Sequence, residues 1–233
     1  MAKITAEQLR LYAVSDNSWL KLGETLVQIA EQLLRHGVTC WQLRDKQATH
    51  EEIVFQTQQI LPVCRAYGVP LIINDDVQAV LETDADGVHV GQSDMTVQKA
   101  RAILGPEKII GTSAHSAAEA IVAQQMGADY LGCGAVFGSA TKKDGADYLG
   151  VGAVFHTSTK KDAHAVDFQT LKQICQSVSI PVVAIGGIDR HNILQLAQSG
   201  IDGVAVVSAL FAAEDKPEAV KEMLRLANQI ACK

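Results

Sequence analysis

Residues Gly127 to Asp144 read GADYLGCGAVFGSATKKD and residues Gly145 to Asp162 read GADYLGVGAVFHTSTKKD, one eighteen-residue phrase written twice in tandem with four differences. Each copy has the pattern of an apolar strand, Tyr130 to Phe137 or Tyr148 to Phe155, running into a polar turn rich in Ser, Thr and Lys. A strand that delivers hydroxyls and lysines to its C-terminal end makes a plausible anion-binding edge. Two units do not make a repeat architecture, which needs several stacked copies. Counted once, the phrase takes a single place in the alternation on either side of it.

That alternation starts at Leu9. LRLYAVSD is followed by a helical segment from Glu24 to His36, then VTCWQLRDK, a helix from about Thr49 to Tyr67, VPLIIND (Val69 to Asp75) and a short helix to Thr83. GVHVG (Gly87 to Gly91), a helix from Thr96 to Leu104, KIIGTSAH (Lys108 to His115) and a helix from Ser116 to Met126 lead into the doubled phrase. Beyond it come a helix from Phe168 to Ser177, PVVAIGG (Pro181 to Gly187), a helix to Ser199, GVAVVSAL (Gly203 to Leu210) and a last helix from Pro217 to Cys232. With the phrase counted once, this makes eight strands and eight helices. Continuous apolar strands alternating with amphipathic helices imply a parallel sheet covered by helices, and eight units close into an α/β (β/α)8 TIM barrel. The expected organisation is one barrel domain over residues 1–233, carrying an 18-residue tandem duplication around strand 6 at 127–144 and 145–162.

Composition excludes several function classes. A net charge of −6, with 20% charged and 48% hydrophobic residues, gives a full core but no clustered basic face, so no nucleic-acid partner is expected. The N-terminal MAKITAEQLR lacks an apolar signal core, and no apolar run approaches membrane-spanning length. Five cysteines (Cys40, Cys64, Cys133, Cys175, Cys232) without CxxC spacing read as buried thiols in a reducing cytoplasm. The sequence is compatible with a homo-oligomer and does not specify one.

Active sites of such barrels gather at the C-terminal strand ends. Strand 2 ends in Gln42-Leu43-Arg44-Asp45-Lys46, whose alternation turns Gln42, Arg44 and Lys46 into the mouth, a set suited to a polyphosphate. Strand 3 ends in Asn74-Asp75-Asp76 and strand 4 in His89-Val90-Gly91-Gln92-Ser93-Asp94, so Asp75 and Asp94 form a pair of hard oxygen ligands for magnesium. Helix capping competes for each of those aspartates. His89, between two valines, reads as packed, and His115 serves equally as cap or base. Strand 5 offers Ser113, while Gly186-Gly187 after strand 7 and Ser208 after strand 8 resemble a phosphate cradle. A magnesium–diphosphate half-site on strands 2 to 5 thus faces a monophosphate half-site on strands 6 to 8.

Seven phrases carry a resemblance to the thiamine phosphate synthase (thiamine-phosphate pyrophosphorylase) family: QLRDK at Gln42, NDD at Asn74, HVGQSD at His89, GTSAH at Gly111, TSTKKD at Thr157, IGGI at Ile185 and VVSAL at Val206. The resemblance implies two small phosphorylated heterocyclic substrates, 4-amino-5-hydroxymethyl-2-methylpyrimidine diphosphate and 4-methyl-5-(2-phosphoethyl)thiazole, joined with release of pyrophosphate. It implies that Gln42, Arg44, Lys46, Asn74, Ser113 and Lys160 hold the pyrimidine diphosphate, that Thr157, Thr159, Gly187, Val207 and Ser208 bind the thiazole phosphate, and that Asp75 and Asp94 hold Mg2+. No covalent nucleophile is expected. A thiazole tautomerase or phosphosugar epimerase on the same scaffold would leave the diphosphate half-site unexplained, and a duplication that abolished catalysis would leave a phosphate-binding protein.

The departure from the family is the doubled phrase. The second copy keeps the T-x-T-K-K run, Thr157 to Lys161, and leads straight into the sixth helix, whereas the first has Gly138-Ser139-Ala140 there. Tyr148 to Phe155 is therefore expected to fill the sixth strand, with the first copy bulging from the bottom of the barrel. The opposite threading, with the surplus on the catalytic face, is the alternative.

Overall fold

The computed structural model describes residues 3–91, 95–137 and 166–231. Eight parallel strands close into a barrel in sequence order: β1 (Leu11–Val14), β2 (Cys40–Leu43), β3 (Leu71–Asn74), β4 (Gly87–Val90), β5 (Ile109–Ser113), β6 (Tyr130–Cys133), β7 (Val182–Ile185) and β8 (Gly203–Val206). The ring closes where Leu11 to Ala13 pair with Val204 to Val206. Its α-helices are α1 (Leu26–Arg35), α2 (His50–Ala66), α3 (Val77–Thr83), α4 (Val97–Leu104), α5 (Ala117–Gln125), α6 (Phe168–Ser177), α7 (Ser208–Phe211) and α8 (Lys216–Ile230). Among the described residues, no helix is long and apolar enough to cross a membrane.

Short polar side chains at the starts of α1 to α5 explain why these helices begin where they do. Thr25 with Gln28, and Thr49 with Glu52, form reciprocal capping boxes on α1 and α2. Asp76 caps α3 through Ala79, Thr96 caps α4 through Lys99, and Ser116 caps α5 through Glu119. One expected helix is missing between β7 and β8, where the chain makes only a 3-10 turn, Ile193–Leu196. Asp189 Oδ1 there accepts from the amides of His191 (2.8 Å) and Asn192 (3.2 Å). Side-chain acceptors of this kind compete with the helical ladder and favour turns.

Alternation along the strands separates two cores. Outward residues such as Trp41, Leu43, Leu71, Ile73, Val88 and Leu131 pack under the helices. Inward residues Tyr12, Val14, Cys40, Ile72, Ile109, Tyr130, Val183 and Ala205 fill the barrel, closed from below by Ile4 and Leu9. The fully buried ring of Tyr130 occupies space that a glycine leaves. A Cβ at Gly111 would lie 2.0 Å from Tyr130 Cζ, so no larger residue fits beside that ring.

The first copy of the doubled phrase, not the second, forms β6: Tyr130 pairs with Gly111 and Leu131 with Val182. This corrects the expectation that Tyr148 to Phe155 would take that place. The physical reason lies at the bottom of the barrel. Only four residues, Met126 to Asp129, link α5 to β6, and Asp129 fixes that link through Ile110 N (2.7 Å) and Arg101 Nη2 (2.6 Å). Threading the first copy keeps this short connection, whereas threading the second would lengthen it by eighteen residues.

Candidate active site

Register brings the singled-out residues to one rim. Leu43 pairs with Ile73, so Arg44, just past β2, and Asn74, the last residue of β3, each lie one step beyond that pair, and Asn74 itself pairs with His89. Ile185 pairs with Ala205, so Gly187 and Val207 each lie two residues beyond. Those residues expected in the two half-sites that the structure describes thus lie at the ends of β2, β3 and β5 on one arc and after β7 and β8 on another, while the strand 6 members of the second half-site fall outside the described residues.

Arg44 is partly buried, and its backbone is clamped by Ser15, whose Oγ accepts from Arg44 N (2.9 Å) and donates to Arg44 O (3.2 Å). Burial lowers its pKa from the usual arginine value, while the charges of Asp16, Asp75 and Asp45 oppose that shift. The guanidinium stays charged in any case. Asp45 faces the other way, accepting from Asn17 Nδ2 (2.6 Å) and Gln56 Nε2 (3.2 Å), as alternation along Gln42-Leu43-Arg44-Asp45 requires. Lys46 is exposed at the rim.

Asp75 is freed from the capping role that competed for it, because Asp76 caps α3. Its backbone has φ of 64°, the left-handed region, and its amide donates to His89 O (2.8 Å). Its carboxylate accepts from Gly91 N (3.3 Å) and from Asn74 Nδ2 (2.5 Å). Holding a non-glycine residue there costs roughly 1–2 kcal/mol, a strain that clusters at functional sites. The arrangement presents a hard anionic oxygen at the rim beside Arg44, which fits a magnesium ligand. Asp94 lies outside the described residues, as do Thr157, Thr159 and Lys160. Among the described residues, no group of three or more His, Cys, Asp or Glu side chains forms a metal cluster.

His115 takes a structural role at the start of α5, its amide donating to Glu119 Oε2 (2.7 Å). His89 does more than pack. Its ring leans on Tyr130 with centroids 5.6 Å apart, and it bridges Tyr130 Oη (Nδ1, 3.0 Å) and Ser113 Oγ (Nε2, 3.2 Å). Enclosure by the barrel lowers its pKa to about 4, so the ring is neutral near pH 7. Tyr130 Oη in turn meets Tyr12 Oη (2.9 Å), which accepts from Gln42 Nε2 (2.7 Å). Burial raises the pKa of both phenols well above the usual value. Sequence reasoning missed these tyrosines, although the alternation in LYAV and YLGC turns both side chains into the barrel.

On the opposite arc, Gly186 and Gly187 have φ of 103° and 63°, conformations open to glycine that let the backbone turn tightly after β7. A Cβ at Gly186 would lie 2.5 Å from Ala135 Cβ, so this turn also rests directly on the chain leaving β6. Asn192 Nδ2 braces it by donating to Gly187 O (2.7 Å). Val207 caps the single turn α7, which starts at Ser208. Cys40, Cys64 and Cys133 are buried free thiols, and burial pushes Cys64 up to about 12, far from a reactive thiolate.

Known proteins share both this geometry and the sequence. The profile of the thiamine monophosphate synthase family matches residues 11–145 and 142–210, the break falling at the doubled phrase. The thiamine-phosphate synthase of Ruminiclostridium cellulolyticum is 42% identical over 216 residues, covering 93% of this chain and 94% of its own. That of Clostridium tetani is 39% identical over 94% of this chain and 96% of its own. The thiamine phosphate pyrophosphorylase structure from Pyrococcus furiosus superposes with a TM-score of 0.81 at 32% identity, over 97% of this chain and 98% of its own. A 3-hexulose-6-phosphate synthase superposes with a TM-score of 0.62 at 15% identity, a likeness of fold alone. The profile and these relatives span the strand ends from which the site is built, and the chain belongs to the thiamine monophosphate synthase family.

Proposed function

We propose that the protein is a transferase that makes thiamine phosphate, joining 4-amino-5-hydroxymethyl-2-methylpyrimidine diphosphate to 4-methyl-5-(2-phosphoethyl)thiazole and releasing pyrophosphate. The observation that carries this reading is the pairing of Arg44, Asn74, Asp75 and Ser113 on the ends of β2, β3 and β5 with the Gly187 and Val207–Ser208 turns after β7 and β8. A phosphosugar enzyme or a tautomerase would use the second group and leave the first without a purpose.

Departure of pyrophosphate from the pyrimidine methylene leaves a cation that the aminopyrimidine ring stabilises and the thiazole nitrogen captures. The protein's task is then to hold two partners in line and to receive the leaving charge. Arg44 suits the second task, because its backbone is fixed by Ser15 and its fork can grip two phosphate oxygens at once. Gln42, Lys46, Asn74, Ser113 and Lys160 complete the diphosphate side, and Gly187, Val207, Ser208, Thr157 and Thr159 hold the thiazole phosphate. Asp75 and Asp94 would hold Mg2+, which when bound neutralises the diphosphate and makes it a better leaving group.

Incubating the protein with both substrates and magnesium, and measuring thiamine phosphate and pyrophosphate, tests the reading. Equal amounts of both products are expected, and no thiamine phosphate should form when the thiazole phosphate is omitted. A folded sample that yields no thiamine phosphate would overturn it.

A further inference from the structure

Five side chains form a continuous hydrogen-bonded file through the barrel interior. Gln42 leads to Tyr12 (2.7 Å), Tyr12 to Tyr130 (2.9 Å), Tyr130 to His89 Nδ1 (3.0 Å) and His89 Nε2 to Ser113 (3.2 Å). Both ends, Gln42 and Ser113, are residues placed on the pyrimidine diphosphate above. The three middle members are not.

The file has a direction. Gln42 Nε2 carries only hydrogens, so Tyr12 Oη must accept there and give its own proton elsewhere. The Cys40 thiol beside it is a weak acceptor, and Tyr130 Oη is the strong one. With its oxygen occupied by that proton, Tyr130 donates to His89 Nδ1. A neutral imidazole has one N–H, which is then on Nε2 and points at Ser113 Oγ. Ser113 is thereby committed as an acceptor on the ring side, and its own O–H is a donor on the other.

The packing protects this order. Gly111 leaves the space that the Tyr130 ring fills, and Gly132 faces the His89 ring, where a Cβ would approach Cε1 to 3.1 Å. Gly111 lies on β5 with Ser113 and Gly132 on β6 with Tyr130, so the rings are held by backbone and not only by their hydrogen bonds.

We infer that Tyr12 and Tyr130 are positioning residues that transmit the orientation of the Gln42 amide to His89, fix its proton on Nε2, and so present the Ser113 hydroxyl as a donor to the substrate. The inference rests on the thiamine phosphate synthase reading for what Ser113 receives, but the tautomer of His89 is a property of the protein alone.

Tyr12→Phe and Tyr130→Phe each remove one oxygen and keep the ring. NMR of nitrogen-labelled histidine, with His89 assigned by its loss in His89→Gln, should show the wild type protonated at Nε2. In either Phe variant the signal should shift toward a mixture of tautomers. Each variant should lower kcat by roughly ten- to a hundredfold with the KM for the thiazole phosphate unchanged, the scale expected for misplaced groups. The double variant should fall within about twofold of the weaker single one, because each cut breaks the same file. An Nδ1-protonated wild type, a tautomer indifferent to both substitutions, losses that multiply, or full activity with a scrambled tautomer would each overturn the inference. Should one variant fail to fold, the other carries the test. A wild type inactive as a synthase shows itself before any variant is made, and the histidine spectra still decide whether the file sets the tautomer.

Discussion

Asp75 combines a strained backbone with a carboxylate at the rim, and the two can be separated by substitution. Asparagine tolerates the left-handed region nearly as well as aspartate, whereas alanine does not. Asp75→Asn should therefore keep the stability of the wild type and lose most of its activity, the loss being greatest at limiting magnesium. Asp75→Ala should lose activity to the same degree and also about 1 kcal/mol of stability, read from urea unfolding. Wild-type-like turnover of Asp75→Asn at limiting magnesium would sink the metal assignment. At this level the sequence was informative about which residues reach the mouth, because alternation along Gln42-Leu43-Arg44-Asp45 is a property of any strand. It was silent on Tyr12 and Tyr130. A tyrosine in an apolar strand reads as core, and only the neighbouring strands show that its hydroxyl meets another.

Helix starts were legible because a capping side chain and its target lie three residues apart in the sequence, as in Thr25 with Gln28 and Thr49 with Glu52. The turn between β7 and β8 was not, because Asp189 and Asn192 had to be weighed against an apolar pattern that suits a helix equally well. One contact between elements yields a prediction. His50 at the start of α2 meets Asp76 Oδ2 (2.6 Å) and Glu82 Oε1 (3.2 Å) of the α3 region. Hydrogen bonds to Asp76 and then Glu82 raise its pKa above 6.5. The folded chain thus binds this proton more tightly than the unfolded one, so the bridge stabilises fully below about 6.5 and its contribution is lost as pH rises through the raised value. Thermal unfolding of His50→Gln against wild type should show a larger difference at pH 6 than at pH 8.5. An equal or reversed difference would remove the bridge from the account of how α2 and α3 are held together.

The barrel itself was readable from end to end, since the alternation of apolar strands and helices needs no long-range knowledge. The choice between two nearly identical strands was not, because it depends on the length of the α5 to β6 link. Observed strand and family-like turn can nonetheless be reconciled. Because the copies match, the eighteen surplus residues can be taken as Gly138 to Phe155, which joins Tyr130–Phe137 directly to His156-Thr157-Ser158-Thr159-Lys160. Deleting Gly138 to Phe155 should leave the unfolding midpoint and the synthase activity close to those of the full chain. In the full chain, Lys160→Ala should abolish activity and Lys142→Ala should not. Loss with Lys142→Ala alone would assign the working turn to the first copy.

The ring of eight strands has no open edge, since β1 pairs with β8, and this makes the doubled phrase a contest for one berth. A ninth strand cannot be added to a closed ring; it can only replace an occupant. Tyr148-Leu149-Gly150 repeats Tyr130-Leu131-Gly132 letter for letter, so the replacement would conserve both the register and the hydroxyl that Tyr130 offers. During synthesis the first copy leaves the ribosome before the second exists, and only four residues separate its strand from α5, which delivers it to β5. Order of emergence and shortness of connection favour the same winner, and the tandem copy becomes a spare part installed downstream of the machine it duplicates.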